Sequence, residues 1–346
     1  MIGLADHPWL GGLLGDDAIA AVFAPRTELQ RFLQVEAAWT RALGEVEGIA
    51  DAETFAARIE AAQIDLDALA KGTAQDGVPI PTLVRELRKQ LGEDAPVHRG
   101  MTSQDVMDTA QVLCLQQVMG ILSTRLKMLE AALTQLQARF GMTPVMAFTR
   151  MQPALSTNGA ELIGRWLRPV RRLMADLVRA GDDVGQIQWG GPIGDRDHAQ
   201  ADALGPRFAQ LLGLRDPGYA WHTDRAIILS VGHVLSQVSV ATGKIGEDLA
   251  LMAALGKDHV TLAGGGSSAM PHKNNPIKPE VLVTLADFAA TQHAGLLRAV
   301  RHEGFRSGRA WTLEWMVLPQ LCIAAGAGAR LAAQAVSDIT TLGGQS

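Results

Sequence analysis

The sequence predicts an all-α protein: a long-helix bundle preceded by a small N-terminal helical domain. Three observations predict it. Hydrophobic residues make up 47% of the chain and aromatics only 5%, so the apolar content is largely Ala, Leu, Val and Met, which favour helix over strand. Leu115, Met119, Leu122, Leu126, Leu129, Leu133, Leu136 and Phe140 alternate steps of four and three, the seam of a helix packed lengthwise on others. A second seam of the same spacing runs through Ile228, Val231, Leu235, Val238, Thr242, Ile245, Leu249 and Met252, with one polar member.

Taken in order, residues 1–100 carry short helical segments at about 27–47, 52–61 and 81–91, separated by turn residues. They form the N-terminal domain, and residues 101–346 form the bundle. The first long helix starts with Thr102 or Ser103 as its cap and stops at Gly141, a length of roughly 55 Å at about 1.5 Å per residue. Further helices are expected at about 156–180, 199–212, 278–301 and 310–336, on either side of the second seam. No strand-like run competes with them. Helices of this length leave apolar side surface uncovered in a single chain, which predicts a homo-oligomer.

Charge and cysteine usage narrow the function classes. The net charge of −5 comes with dispersed basic residues, so no stripe exists to hold nucleic acid. Cys114 and Cys322 sit among apolar residues, as expected of buried thiols in a reducing compartment, here the cytoplasm. The first residues hold acids where a secretion signal needs a basic start, and no uninterrupted apolar run of membrane-spanning length occurs, so neither secretion nor membrane insertion is expected. The nine histidines show no metal-ligand spacing, and no metal is expected.

Four segments concentrate chemistry. The densest runs from Gly264 to Glu280: three glycines, then Ser267, Ser268, Lys273, Asn274, Asn275 and Glu280. Glycines give such a loop the freedom to move and to bring amides close to a ligand, whereas a plain solvated linker does not require this density of polar function. The spacing is not that of a P-loop. A second segment, His98-Arg99-Gly100-Met101-Thr102-Ser103-Gln104-Asp105, opens the first long helix. Exposed amides, the helix dipole, His98 and Arg99 together suit a carboxylate, although Thr102 and Ser103 would also serve as simple caps. The third is Phe148-Thr149-Arg150-Met151-Gln152-Pro153-Ala154, and the fourth Trp221-His222-Thr223-Asp224-Arg225. A histidine opening a helix, as His222 does, is more often a capping or surface residue than a ligand. Arg165, Arg168, Arg171 and Arg172 form a solvated helix face.

Gly266 to Asn275 resembles the signature loop G-S-S-x-x-P-x-K-x-N of the fumarase/aspartase superfamily, with every fixed position met. The second segment is similar to the H-x-G-x-T-S-x-D-x-x-D-T pattern of its adenylosuccinate lyase and carboxymuconate cycloisomerase branches. The resemblance implies that Ser267 handles a proton on carbon, with Ser268 a rival for the role. It implies further that Lys273 and Asn275 bind substrate carboxylate, that Thr102, Ser103 and Gln104 contact substrate, that His98 lines the pocket, and that His222 and Arg225 are substrate contacts. Physically, a serine serves as base only where loop amides and cations stabilise its alkoxide.

The third segment departs from the superfamily's R-T-H-x-Q-x-A-x-P. Thr149, Gln152 and Ala154 keep their places, Arg150 replaces the histidine, and Glu280 matches the acid that pairs with it. A lyase that expels an amine or hydroxide needs a general acid, which arginine cannot be. Opening or closing a lactone moves a carboxylate, whose pKa is near 4, so no acid is needed there and an arginine can bind a carboxylate instead. The resemblance therefore implies cycloisomerisation of 3-carboxy-cis,cis-muconate, a small tricarboxylate, without a cofactor, in a homotetramer whose sites combine loops of different subunits. An adenylosuccinate lyase-like C–N lyase and a non-enzymatic helical assembly are the alternatives. It also implies that the superfamily's third, C-terminal helical domain is absent.

Overall fold

The computed structural model describes residue 3, residues 7–266, residue 270 and residues 273–344. Ahead of the bundle come α1 (Gly11–Leu14), α2 (Asp17–Ala20), a 3-10 turn (Ala21–Phe23), the longer α3 (Pro25–Glu47), α4 (Ala52–Glu60), α5 (Leu66–Asp76) and α6 (Ile80–Leu91). α3 opens on Pro25, whose fixed φ and missing amide suit a first turn, and stops at Gly48 in the left-handed region.

The bundle follows as α7 (Ser103–Phe140), α8 (Gly159–Val184), α9 (Ala201–Leu212), α10 (Ala226–Leu255), α11 (Ile277–Ala299) and α12 (Gly308–Ser337). Every seam residue from Leu115 to Leu136 is buried, as is the α10 seam from Ile228 to Leu249. The polar member, Thr242, is tolerated because its hydroxyl donates back to the Val238 carbonyl. α10 and α11 approach closely at Gly246, where a Cβ would lie 2.6 Å from the Pro279 carbonyl oxygen.

Named contacts give the direction of each helix. Arg225, just ahead of α10, meets Asp108 near the start of α7 and Glu314 near the start of α12, so these three helices begin at one end. α8 starts against Phe140, α11 starts where Lys278 pairs with Asp338 beyond α12, and Arg301 after α11 bridges back to Asp224. α8 and α11 therefore run the opposite way. One apolar core passes continuously from Trp39 and Leu83 through the α7 and α10 seams to Leu331.

The fold class is mostly all-α as expected, with a correction. Residues 144–158 form a hairpin, β1 (Pro144–Thr149) against β2 (Gln152–Asn158), and β3 (Val260–Leu262) pairs with β4 (Ile339–Leu342), both antiparallel. The helix expected from about 156 starts at Gly159, capped by the Asn158 side chain. β2 is solvent-exposed along nearly all its length and β3 has three residues, so neither writes the apolar alternation of a half-buried strand. α10 and α12 are long and apolar enough to cross a membrane, but they bury that surface in the bundle, α12 over most of its length and α10 over about half.

Candidate active site

The first functional segment folds around Asp105. Thr102 caps α7, and the fully buried Asp105 carboxylate accepts hydrogen bonds from the Thr102 amide (2.9 Å), the Gly190 and Gly191 amides (2.9 and 3.0 Å) and His222 Nε2 (2.7 Å). One acid thus ties the start of α7 to the Gly-rich turn at 190–194 and to the Trp221–Arg225 segment.

Directly behind lies a buried ion triad. Arg225, expected at a substrate carboxylate, is instead enclosed by protein: it donates to Asp108 (2.6 and 3.0 Å) and to Glu314 (2.6 and 3.0 Å), and all three side chains are inaccessible. Burial works against the cation, but the two carboxylates outweigh it and hold the guanidinium charged. Trp311 Nε1, Gln188 and Gln104 also donate to Asp108, and Gln111 to Glu314. Gln104 is engaged on both sides, since its amide nitrogen also reaches the His222 carbonyl and its oxygen accepts from Arg306. Arg225 and Gln104 are consequently engaged by protein groups, whereas His222 is held at Nε2 and its buried Nδ1 has no hydrogen-bond partner among the described residues.

The groups open at this end are His98, Ser103 and Arg306. His98 Nδ1 meets Glu36 at 2.7 Å, and Nε2 has no partner among the described residues. Burial disfavours the imidazolium, yet the Glu36 charge and hydrogen bond, with Asp105 beyond, outweigh it and raise the His98 pKa above its ordinary value. Ser103, in the first turn of α7, is half-buried with its hydroxyl unengaged among the described residues. Arg306 was not anticipated from the sequence. It lies between α11 and α12 and donates to the Thr102 hydroxyl (2.9 Å), Gln104 (3.0 Å) and the Pro192 carbonyl (3.2 Å). The available signal was a basic loop between glycines, Gly304-Phe305-Arg306-Ser307-Gly308-Arg309, opening a long helix.

The other expected residues that the structure describes gather at the opposite end. Ser267 and Ser268 lie outside the described residues. Around them, Gly265 has φ +82° and passes so close to the Asn275 carbonyl that a Cβ would sit 2.0 Å from it, and the Asn275 amide donates to the Gly265 carbonyl. The Lys273 side chain is exposed and that of Asn275 half-buried. Arg150 and Met151 form the two-residue tip of the β1–β2 hairpin, both at positive φ, and Gln152 opens β2; Arg150 and Gln152 are exposed. Phe148 packs edge-on against His259 before β3, which sets this hairpin beside the loop. Glu280, in the first turn of α11, is exposed and makes no ion pair with Arg150 among the described residues. Since α10 has 30 residues, the two ends stand roughly 45 Å apart at about 1.5 Å per residue. No cluster of three or more His, Cys, Asp or Glu side chains able to hold a metal occurs among the described residues.

Comparison with known proteins agrees with this architecture. A family model described as lyase matches residues 15–289. A 3-carboxy-cis,cis-muconate cycloisomerase from Pseudomonas aeruginosa is 36% identical over 327 residues, covering 89% of this chain and 70% of the relative. A nitrosuccinate lyase from Streptomyces davaonensis is 32% identical over 365 residues, covering 98% of this chain and 76% of the relative. Among solved structures, the 3-carboxy-cis,cis-muconate lactonizing enzyme from Pseudomonas putida superposes with a TM-score of 0.90 at 28% identity, over 97% of this chain and 77% of that one. The chain belongs to the fumarase/aspartase superfamily, a family of lyases and cycloisomerases.

Proposed function

We propose that the protein is a 3-carboxy-cis,cis-muconate cycloisomerase whose active site is built where the two ends of different copies meet. The observation that carries the reaction type is Arg150. It occupies the tip of an exposed hairpin beside the signature loop, at the position of the superfamily's proton-donating histidine. A permanently charged guanidinium holds a carboxylate but gives up no proton.

In the closing direction, one carboxylate oxygen of the substrate attacks the alkene, the C–O bond forms, and the adjacent carbon takes a proton. Nothing leaves, and in reverse the departing group is a carboxylate that needs no acid. Ser267 handles the carbon-bound proton, with Ser268 the rival. Lys273, Asn275 and Arg150 from one end, and His98, Thr102, Ser103 and Arg306 from the other, hold the three carboxylates, while Gln152 and Glu280 support the hairpin side. No cofactor takes part.

The same geometry supports assembly. Groups about 45 Å apart cannot meet on one small substrate, whereas a second copy can bring its loop end to the first copy's α7 end. Val240, Leu251 and Leu255 line the uncovered side of α10 and offer the contact surface. A cytoplasmic homotetramer is the reading that fits these helices and the two buried free thiols.

A second reading is elimination from nitrosuccinate, favoured by the relative that matches nearly the whole chain. Nitrite also departs without a proton, so Arg150 is compatible with it. A C–N lyase of the adenylosuccinate type needs the missing acid and is disfavoured. Purified enzyme offered all three substrates should consume carboxymuconate with a kcat/KM at least about tenfold above the others, and Ser267→Ala should lower kcat by about 10²-fold or more. Lack of carboxymuconate turnover by the wild type overturns the function, and an unimpaired Ser267→Ala moves the proton to Ser268.

A further inference from the structure

Glu36 is fully buried on α3, and both of its oxygens face a single residue: Oε2 accepts from the His98 amide (3.0 Å) and Oε1 meets His98 Nδ1 (2.7 Å). Among the described residues no lysine or arginine forms an ion pair with it, and His98 is its ion-pair partner. A buried carboxylate without a counter-charge costs several kcal/mol, so the pair holds together strongly. His98 itself has φ +61°, a left-handed conformation that residues with a Cβ avoid. The turn is held there from outside. Trp39, one turn along α3 from Glu36, donates Nε1 to the Arg99 carbonyl (2.8 Å), and Arg88 of α6 reaches the Val97 carbonyl. A strained histidine clamped from two helices, with one ring nitrogen occupied and the other unengaged, is an arrangement that core packing alone does not call for.

We propose that Glu36 is the positioning residue of the active site: it fixes the His98 ring with Nδ1 inward and presents Nε2–H, as part of a cation, to a substrate carboxylate. This rests on the anionic substrate proposed above. His98 lies on the turn that leads into the α7 N-terminus, where Arg306 donates to Thr102, so the helix end, the guanidinium and the imidazolium all favour an anion at this end of the chain. The charged groups facing the ring are Glu36 from α3, Asp105 from α7 and Arg88 from α6. The two acids favour the imidazolium and Arg88 opposes it, which makes Glu36 the group whose removal matters most.

The test compares wild type, Glu36→Gln, Glu36→Asp and His98→Asn. Histidine-selective NMR, with the His98 signal assigned by its loss in His98→Asn, should show the ring titrating about one pH unit lower in Glu36→Gln. The alkaline limb of the carboxymuconate kcat/KM profile should move down by the same amount, with Glu36→Asp in between. In neutral wild-type ring, nitrogen shifts should show the Nδ1–H tautomer, a reading that stands even where Glu36→Gln fails to fold. An unchanged titration in a folded Glu36→Gln, or an Nε2–H tautomer in wild type, overturns the proposal. A shifted titration in a protein that ignores carboxymuconate supports the Glu36–His98 pair while rejecting the substrate.

Discussion

Arg225 shows what a motif conveys at the scale of one residue. The segment Trp221–Arg225 was legible as part of the site, but the direction of its side chains was not. The partners of Arg225, Asp108 and Glu314, lie 117 and 89 residues away, and local sequence does not say that two acids converge on one guanidinium. The triad carries two negative charges against one positive, balanced by donation from Trp311, Gln104, Gln188 and Gln111. Arg225→Met should therefore leave two buried carboxylates uncompensated and lose about 3–5 kcal/mol in urea denaturation, far more than a lost surface ion pair. A loss under about 1 kcal/mol would contradict the buried triad. Glu36 and Arg306 went unread for a related reason: an acid inside an amphipathic helix and an arginine in a loop are common, and only their partners single them out.

At the scale of elements, the long helices were legible because their burial is periodic, and the boundary of α7 was legible because Thr102 caps it and Gly141 stops it. The hairpins were not, because exposed or very short strands leave no apolar alternation. The same burial logic exposes one cost inside α3. Glu28 lines a cavity of about 580 Å³ together with Phe23, Leu69, Cys114, Leu318 and Ile323, and burial pushes its pKa up to about 7. An acid raised on folding binds its proton more tightly in the native state, so the contribution of Glu28 to stability is greatest below about pH 4.5 and falls as pH rises to about 7. Glu28→Gln should remove that slope, raising stability at pH 8 by about 2–3 kcal/mol while leaving pH 4.5 nearly unchanged. Thermal melts at the two pH values check this; equal effects of the substitution at both would contradict it.

For the whole molecule, the signature loop and the helix-capping motif were both readable in the sequence, while the distance between them was not. It follows from helix lengths and directions, which place Lys273 and His98 at opposite ends of a bundle spanned by α10. The central claim is that a carboxymuconate site forms only where these ends meet on different copies, and mixing two crippled chains tests it most directly. His98→Ala and Lys273→Ala should each be nearly inactive alone. Unfolded together in equal amounts and refolded, they should restore carboxymuconate consumption, followed by ultraviolet absorbance, to about a quarter of the wild-type rate, because random assembly gives that share of sites two intact halves. A mixture no more active than its two components, beside a wild-type control that refolds to full activity, would contradict the shared site.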